Sequence, residues 1–316
     1  MTTAPPSRPD WLARALDGDR RALARCITWT EARDAALSEP LGAMRVRRRT
    51  APGCPHVLGV TGPPGAGKST LVNGLVRALR ASGQTVAVLA IDPSSPFSGG
   101  AILGDRIRME EHTTDPGVYV RSLSSRGHLG GLSASTAEVV DLLDAAGFDT
   151  VVLETVGVGQ SELTVMEVAD TVVVVLTPES GDAIQAMKAG LMEIADVFVV
   201  NKADRPGADR WLRELEHAVS VSDRAWRPAV LEVVATEGRG VDDLVSHALE
   251  HLAWCRSGDG LQSWRQRRGD AAVRLVLDRV AHEARLHARR RLTEQDLEGD
   301  LRAGRLSPQD AARRVQ

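Results

Sequence analysis

Gly62-Pro63-Pro64-Gly65-Ala66-Gly67-Lys68-Ser69 is the stretch that decides the fold. It matches G-x-x-x-x-G-K-[ST], follows the apolar run Val57–Thr61, and opens a helical pattern through Leu71, Leu75, Val76 and Leu79. Strand, glycine-rich turn and helix in that order distinguish a phosphate loop from a chance match. The glycines let backbone N–H groups turn inward around a β-phosphate, at a helix N-terminus that already favours anions. Lys68 is placed to reach the β- and γ-phosphates, and the Ser69 hydroxyl to ligate Mg²⁺. Gly62, Pro63, Gly65, Ala66, Gly67, Lys68, Ser69 and Thr70 form the expected phosphate-binding set.

Outward from the loop, short β-branched runs alternate with helical stretches. The runs are Val57–Thr61, Thr85–Ile91, Val118–Val120, Thr150–Leu153, Thr171–Thr177, Val197–Val200 and Val230–Val234. Such alternation predicts an α/β domain, a mostly parallel sheet with helices on both faces, over residues 51–255. Residues 1–50 read as a helical extension, with Trp11, Leu12, Ala15, Leu16, Leu23 and Ile27 spaced for one buried face. Residues 256–316 are Arg-rich and contain no strand-like run. There Val273, Leu277, Val280 and Ala284 make an apolar stripe on a long helix, suited either to internal packing or to a dimer contact.

Two further motifs select the nucleotide. Asn201-Lys202-Ala203-Asp204 follows the buried run Val197–Val200. A carboxylate at Asp204 can accept two hydrogen bonds from guanine N1 and N2, which adenine cannot supply, while Lys202 covers the ring. Each such charge-assisted bond is worth roughly 1.5–3 kcal/mol, enough to exclude ATP. Glu154-Thr155-Val156-Gly157 ends the run Thr150–Leu153, placing a carboxylate near Mg²⁺ and a Gly157 N–H where it can sense a γ-phosphate. Gln160 is either a water-orienting group or a structural turn residue; Val158, next to Gly157, cannot orient water. Asp92 and Asp105 are placed on loops that can reach Mg²⁺, although either can instead cap a helix.

At 316 residues with 43% hydrophobic content, the chain is long enough for a full buried core plus helical additions. The net charge of -3 gives no basic domain, so no nucleic-acid partner is expected. Cys26, Cys54 and Cys255 are far apart and form no CxxC, which fits a reducing compartment and offers no zinc or disulfide framework. The opening MTTAPPSRPDW has no signal-peptide character, and no apolar run is long enough to span a bilayer. A cytoplasmic protein with no membrane partner is the expectation.

The motif set resembles the MeaB/ArgK-type GTPases. The resemblance runs through Gly59–Leu71, Ile91–Ser95, Gly104–Arg106, Arg126–Gly131, Glu154–Gln160 and Gly181–Gly190, and extends to Leu23–Thr28 and Gly304–Pro308. It implies a P-loop GTPase of the SIMIBI class that serves as chaperone to an adenosylcobalamin-dependent acyl-CoA mutase, gating cofactor loading and protecting or reactivating the mutase. It further implies a phosphate and Mg²⁺ site of Lys68, Ser69, Asp92, Asp105 and Glu154. An additional switch follows at Gly181–Gly190, with Gly181, Asp182, Gln185 and Lys188 its candidate contacts, and homodimerisation falls to the C-terminal helices. Ala235 and Thr236 lie where related GTPases carry a Ser-Ala pair, and their backbone N–H groups can still reach guanine O6. A metallochaperone-type GTPase is the alternative; the Cys- or His-rich metal tract usual in such proteins is missing here. A transport-protein kinase is a weaker rival, since no acceptor-binding domain is evident.

Overall fold

The computed structural model describes residues 7–32, 34, 36–37, 40–42, 54–92, 110–112, 114–124, 131–155, 166–178 and 191–315. The chain divides into two compact units, residues 1–269 and 270–316.

In the first unit a seven-stranded sheet carries every expected run. Its strands are β1 (His56–Thr61), β2 (Val86–Asp92), β3 (Val118–Ser124), β4 (Thr150–Thr155), β5 (Thr171–Leu176), β6 (Val197–Asn201) and β7 (Ala229–Val233). They lie in the order β3-β2-β4-β1-β5-β6-β7, and every pairing is parallel. All residues of β1, β4, β5 and β6 are buried, which requires cover on both faces and explains why these strands read as continuous apolar runs. Edge strand β7 is only partly covered. Helices α3 (Lys68–Ala81) and α7 (Val241–Cys255) close one face, with Leu71, Leu75 and Leu244 packed among Val60, Val173, Val175 and Val199. Also in this unit are α4 (Gly131–Ala145), the short α5 (Leu191–Ile194) and α6 (Ala208–Ser220).

Two N-terminal helices, α1 (Arg8–Leu16) and α2 (Arg20–Glu31), bury Trp11, Leu12, Ala15, Leu23 and Ile27, as their spacing predicts. Ser7 and Asp10 close a capping box at α1, and the Asp19 carboxylate accepts the Arg21 and Ala22 N–H groups at α2. Arg121 of β3 donates to Thr28 at 3.0 Å and to Glu31 at 2.9 Å, fixing the helical pair to the sheet edge.

At the end of the sheet where the strands begin, one device recurs three times. Asp149, Asp170 and Asp196 each immediately precede a strand, and each carboxylate accepts an N–H at the start of a neighbouring one. The bonds are Thr85 N–H to Asp149 at 2.7 Å, Val57 N–H to Asp170 at 3.0 Å, and Val172 N–H to Asp196 at 3.0 Å. Asp149 is exposed, whereas Asp170 and Asp196 are buried and need cationic partners. Arg268 pairs with Asp170, and Arg224 and Arg267 with Asp196 at 3.1 and 3.5 Å. Around them His56 and His251 share the Thr171 hydroxyl at 2.8 and 2.9 Å. Trp264 Nε1 donates to Asp170, and Trp226 packs against both His251 and Trp254.

Helix α8 (Gly258–Glu294) continues into the second unit, followed by α9 (Leu297–Arg302) and α10 (Pro308–Val315). Within that unit Leu297, Ala311 and Val315 are buried, and Arg291 donates to the Val315 carbonyl. On α8, Val273, Val276, Leu277 and Val280 are each about three-fifths exposed: 60%, 60%, 62% and 59%.

Candidate nucleotide site

The site forms where β1, β4 and β6 end. Gly62 has φ 145° and Gly67 φ 85°, conformations a side chain disfavours. Space excludes a side chain as well. A Cβ on Gly62 would stand 2.1 Å from the Val175 carbonyl oxygen, and one on Gly67 would stand 2.4 Å from Asn201 Nδ2. The loop therefore keeps its curvature only with glycine at both positions. Lys68 opens α3 with its chain buried, and its ammonium donates to the Gly62 carbonyl at 2.6 Å and the Pro63 carbonyl at 3.0 Å. The positive charge is thereby held on the same loop whose N–H groups suit phosphate.

Beside it, the Ser69 hydroxyl donates to Glu154 Oε1 at 2.5 Å, and Glu154 is 3% exposed at the end of β4. A hydroxyl and a buried carboxylate in contact are hard oxygen donors of the kind Mg²⁺ takes, so the residues present fit that ion.

On the base side, Asn201 ends β6. Its Nδ2 donates to the Ala66 carbonyl at 2.8 Å, and its Oδ1 accepts the Ala235 N–H at 3.1 Å. Lys202 adopts φ 57°, a left-handed turn that ends the strand, and Asp204 stands exposed just beyond. The Ala203 N–H bonds the Val233 carbonyl at 3.1 Å, bringing this turn beside Ala235 and the exposed Thr236. Phosphate loop, carboxylate and guanine-type motif thus meet at one end of one sheet.

Residues 23–289 match the family described as methylmalonyl Co-A mutase-associated GTPase MeaB. The chain belongs to that family. A Pyrococcus abyssi relative is 45% identical over 276 residues, covering 85% of this chain and 83% of its own. The mouse protein named methylmalonic aciduria type A homolog, mitochondrial, is 34% identical over 312 residues, covering 93% of this chain and 75% of its own. A solved structure described as a LAO/AO transport system kinase superposes with a TM-score of 0.69 at 29% identity, covering 100% of this chain and 98% of that one. The chain is thus a P-loop GTPase that binds GTP and GDP, as the motifs predict, and its family is mutase-associated.

Of the residues singled out in this MeaB-family chain, the structure brings together Gly62, Pro63, Gly65, Ala66, Gly67, Lys68, Ser69, Thr70, Glu154, Asn201, Lys202, Asp204, Ala235 and Thr236 along the ends of neighbouring strands and the loops that follow. Asp92 ends β2 with its backbone paired to Ser124; its side chain lies outside the described residues. Asp105, Gly157, Gln160, Gly181, Asp182, Gln185 and Lys188 also lie outside them. Two features escaped sequence reasoning. The Asn201 amide is engaged by two backbone groups, and the Thr155 hydroxyl donates to that of Thr61; nothing in the sequence pattern paired these two threonines.

Proposed function

We propose that the chain is a GTP-driven switch that chaperones an adenosylcobalamin-dependent acyl-CoA mutase in the cytoplasm, gating cofactor loading and protecting or reactivating its partner. The observation that carries this reading is the MeaB family match over residues 23–289, on a chain whose phosphate loop and Asn201–Asp204 motif stand at one sheet end. Residues 1–50 form an extension, 51–255 the GTPase, and 256–316 a dimerisation segment with the exposed stripe of α8 at its centre.

Lys68 draws charge from the bridging and γ-phosphate oxygens as the bond to the leaving GDP breaks. Ser69 and Glu154, joined by Asp92 and Asp105, would hold Mg²⁺, which when bound would supply positive charge against the phosphates. Gly157 senses the γ-phosphate, and Gly181, Asp182, Gln185 and Lys188 carry that state to the partner. With Val158 beside Gly157 and Gln160 the remaining water-orienting candidate, turnover is slow alone and faster with the mutase bound. The test is association: an immobilised acyl-CoA mutase should retain the chain with different affinity in GTP-analogue and GDP forms. Equal retention in both forms, or none with any mutase of this class, would remove the switch.

A further inference from the structure

Strands β1 and β4 run parallel, and their backbone ladder ends at the pair Val60 and Glu154. One residue beyond, Thr155 Oγ1 donates to Thr61 Oγ1 at 3.0 Å, with both side chains buried. This side-chain bond continues the connection where the ladder has stopped. Its two ends adjoin the chemistry on either side. Thr61 is followed by Gly62, whose carbonyl accepts Lys68 Nζ, and Thr155 is preceded by Glu154, which accepts the Ser69 hydroxyl. Successive strand residues face opposite sides of a sheet, so the Ser69–Glu154 bond lies on one face and the Thr61–Thr155 bond on the other.

A hydroxyl at a fully buried position is unfavourable unless bonded, and valine is close to threonine in size without that cost. The pair is therefore a poor choice for packing and a good one for spacing. We propose that Thr155 is a positioning residue for GTP hydrolysis. Through Thr61 it sets the separation between the phosphate loop and the Glu154 end of β4, and hence the geometry of the two oxygens that hold the metal. Small misplacements of reacting groups are costly to rate even when binding survives. The inference rests on Ser69 and Glu154 forming the magnesium end of the site.

Single-turnover GTP hydrolysis as a function of magnesium, with GDP affinity and thermal midpoint, tests it on Thr155→Val, Thr61→Val, the double variant, Thr155→Ser and Glu154→Gln. Each single valine variant should slow hydrolysis by about tenfold and raise the half-saturating magnesium concentration severalfold, with GDP affinity changed by less than about twofold. The double variant should be as slow as either single one, yet at least as heat-stable as the unmodified chain, and Thr155→Ser should restore the rate. A double variant with unchanged rate and magnesium dependence overturns the proposal, as do rates that simply follow the thermal midpoint. If Glu154→Gln also leaves the magnesium dependence unchanged, the assignment of the metal end fails. If Glu154→Gln shifts it while Thr155→Val does not, Thr155 alone is misassigned.

Discussion

Asn201 holds Ala66: its side-chain amide donates to the Ala66 carbonyl at 2.8 Å, and its other atom accepts the Ala235 N–H at 3.1 Å. One side chain thus fastens the phosphate loop to the segment after β7. All three residues are buried, so Asn201→Ala leaves a carbonyl and an N–H without partners, at about 1–3 kcal/mol each. The variant should unfold several degrees earlier and bind GDP at least about tenfold more weakly, in thermal unfolding and nucleotide titration. An unchanged midpoint with unchanged GDP affinity would show that the two contacts contribute nothing.

Base choice tests the exposed end of the same motif. Asp204→Asn exchanges a carboxylate that accepts two guanine N–H bonds for an amide that also donates. It should lower GTP affinity by about 100-fold and shift preference toward xanthine nucleotides, whose extra carbonyl accepts from the amide. Competition titration with GTP, XTP and ATP reads the outcome. Equal affinity of the unmodified chain for ATP and GTP would be the contrary result.

Much of this was legible in the sequence for a definite reason. Strands β1, β4, β5 and β6 appeared as β-branched runs because a parallel sheet covered on both faces leaves little room for polar alternation, whereas the partly covered edge strand β7 admits the exposed Glu232. The phosphate loop was legible because glycine at 62 and 67 is required by Val175 and Asn201, although those neighbours were invisible before folding. What stayed hidden depended on strand order. Asp170 bonds Val57, 113 residues away, because β5 lies beside β1. The facing of Thr61 and Thr155 needed the register of β1 on β4.

The buried polar network makes stability depend on pH. Burial pushes both His56 and His251 down to about 4, against an ordinary value near 6.5. Between those values the unfolded chain binds protons that the folded chain refuses. The stabilisation is complete above pH 6.5 and is lost as pH falls toward 4, at most about 3 kcal/mol for each ring. Burial opposes the charge on Asp170 most strongly, but the Arg268 guanidinium, the His56 ring and the Val57 N–H together outweigh it and hold the carboxyl below its usual range, so its contribution is lost only at lower pH still. Urea midpoints should be level from pH 8 to 7 and fall steadily from 6.5 to 4.5. A level profile to pH 4.5 would mean that the two rings titrate normally.

The proposed dimer is tested on α8. Val273, Val276, Leu277 and Val280 stand exposed along one stretch of that helix, and a two-fold contact would bury each against its symmetry mate. Replacing Leu277 and Val280 with Asp should give a monomer in light scattering that binds GDP as tightly as before. An unmodified chain that is monomeric at micromolar concentration would dismiss the dimer.

The most direct test of the central claim is adenosylcobalamin transfer into an acyl-CoA mutase, followed by the cofactor's absorbance, with the chain in GTP, GDP or non-hydrolysable-analogue form. Coupling of about 1–3 kcal/mol between nucleotide state and partner binding predicts loading that differs by roughly 5–150-fold among the three forms. Lys188→Ala or Gln185→Ala should weaken that difference without changing Asp204-dependent guanine binding. Identical loading with and without the chain, in all three nucleotide states and for every mutase of the class, would contradict the chaperone role and leave only a GTPase.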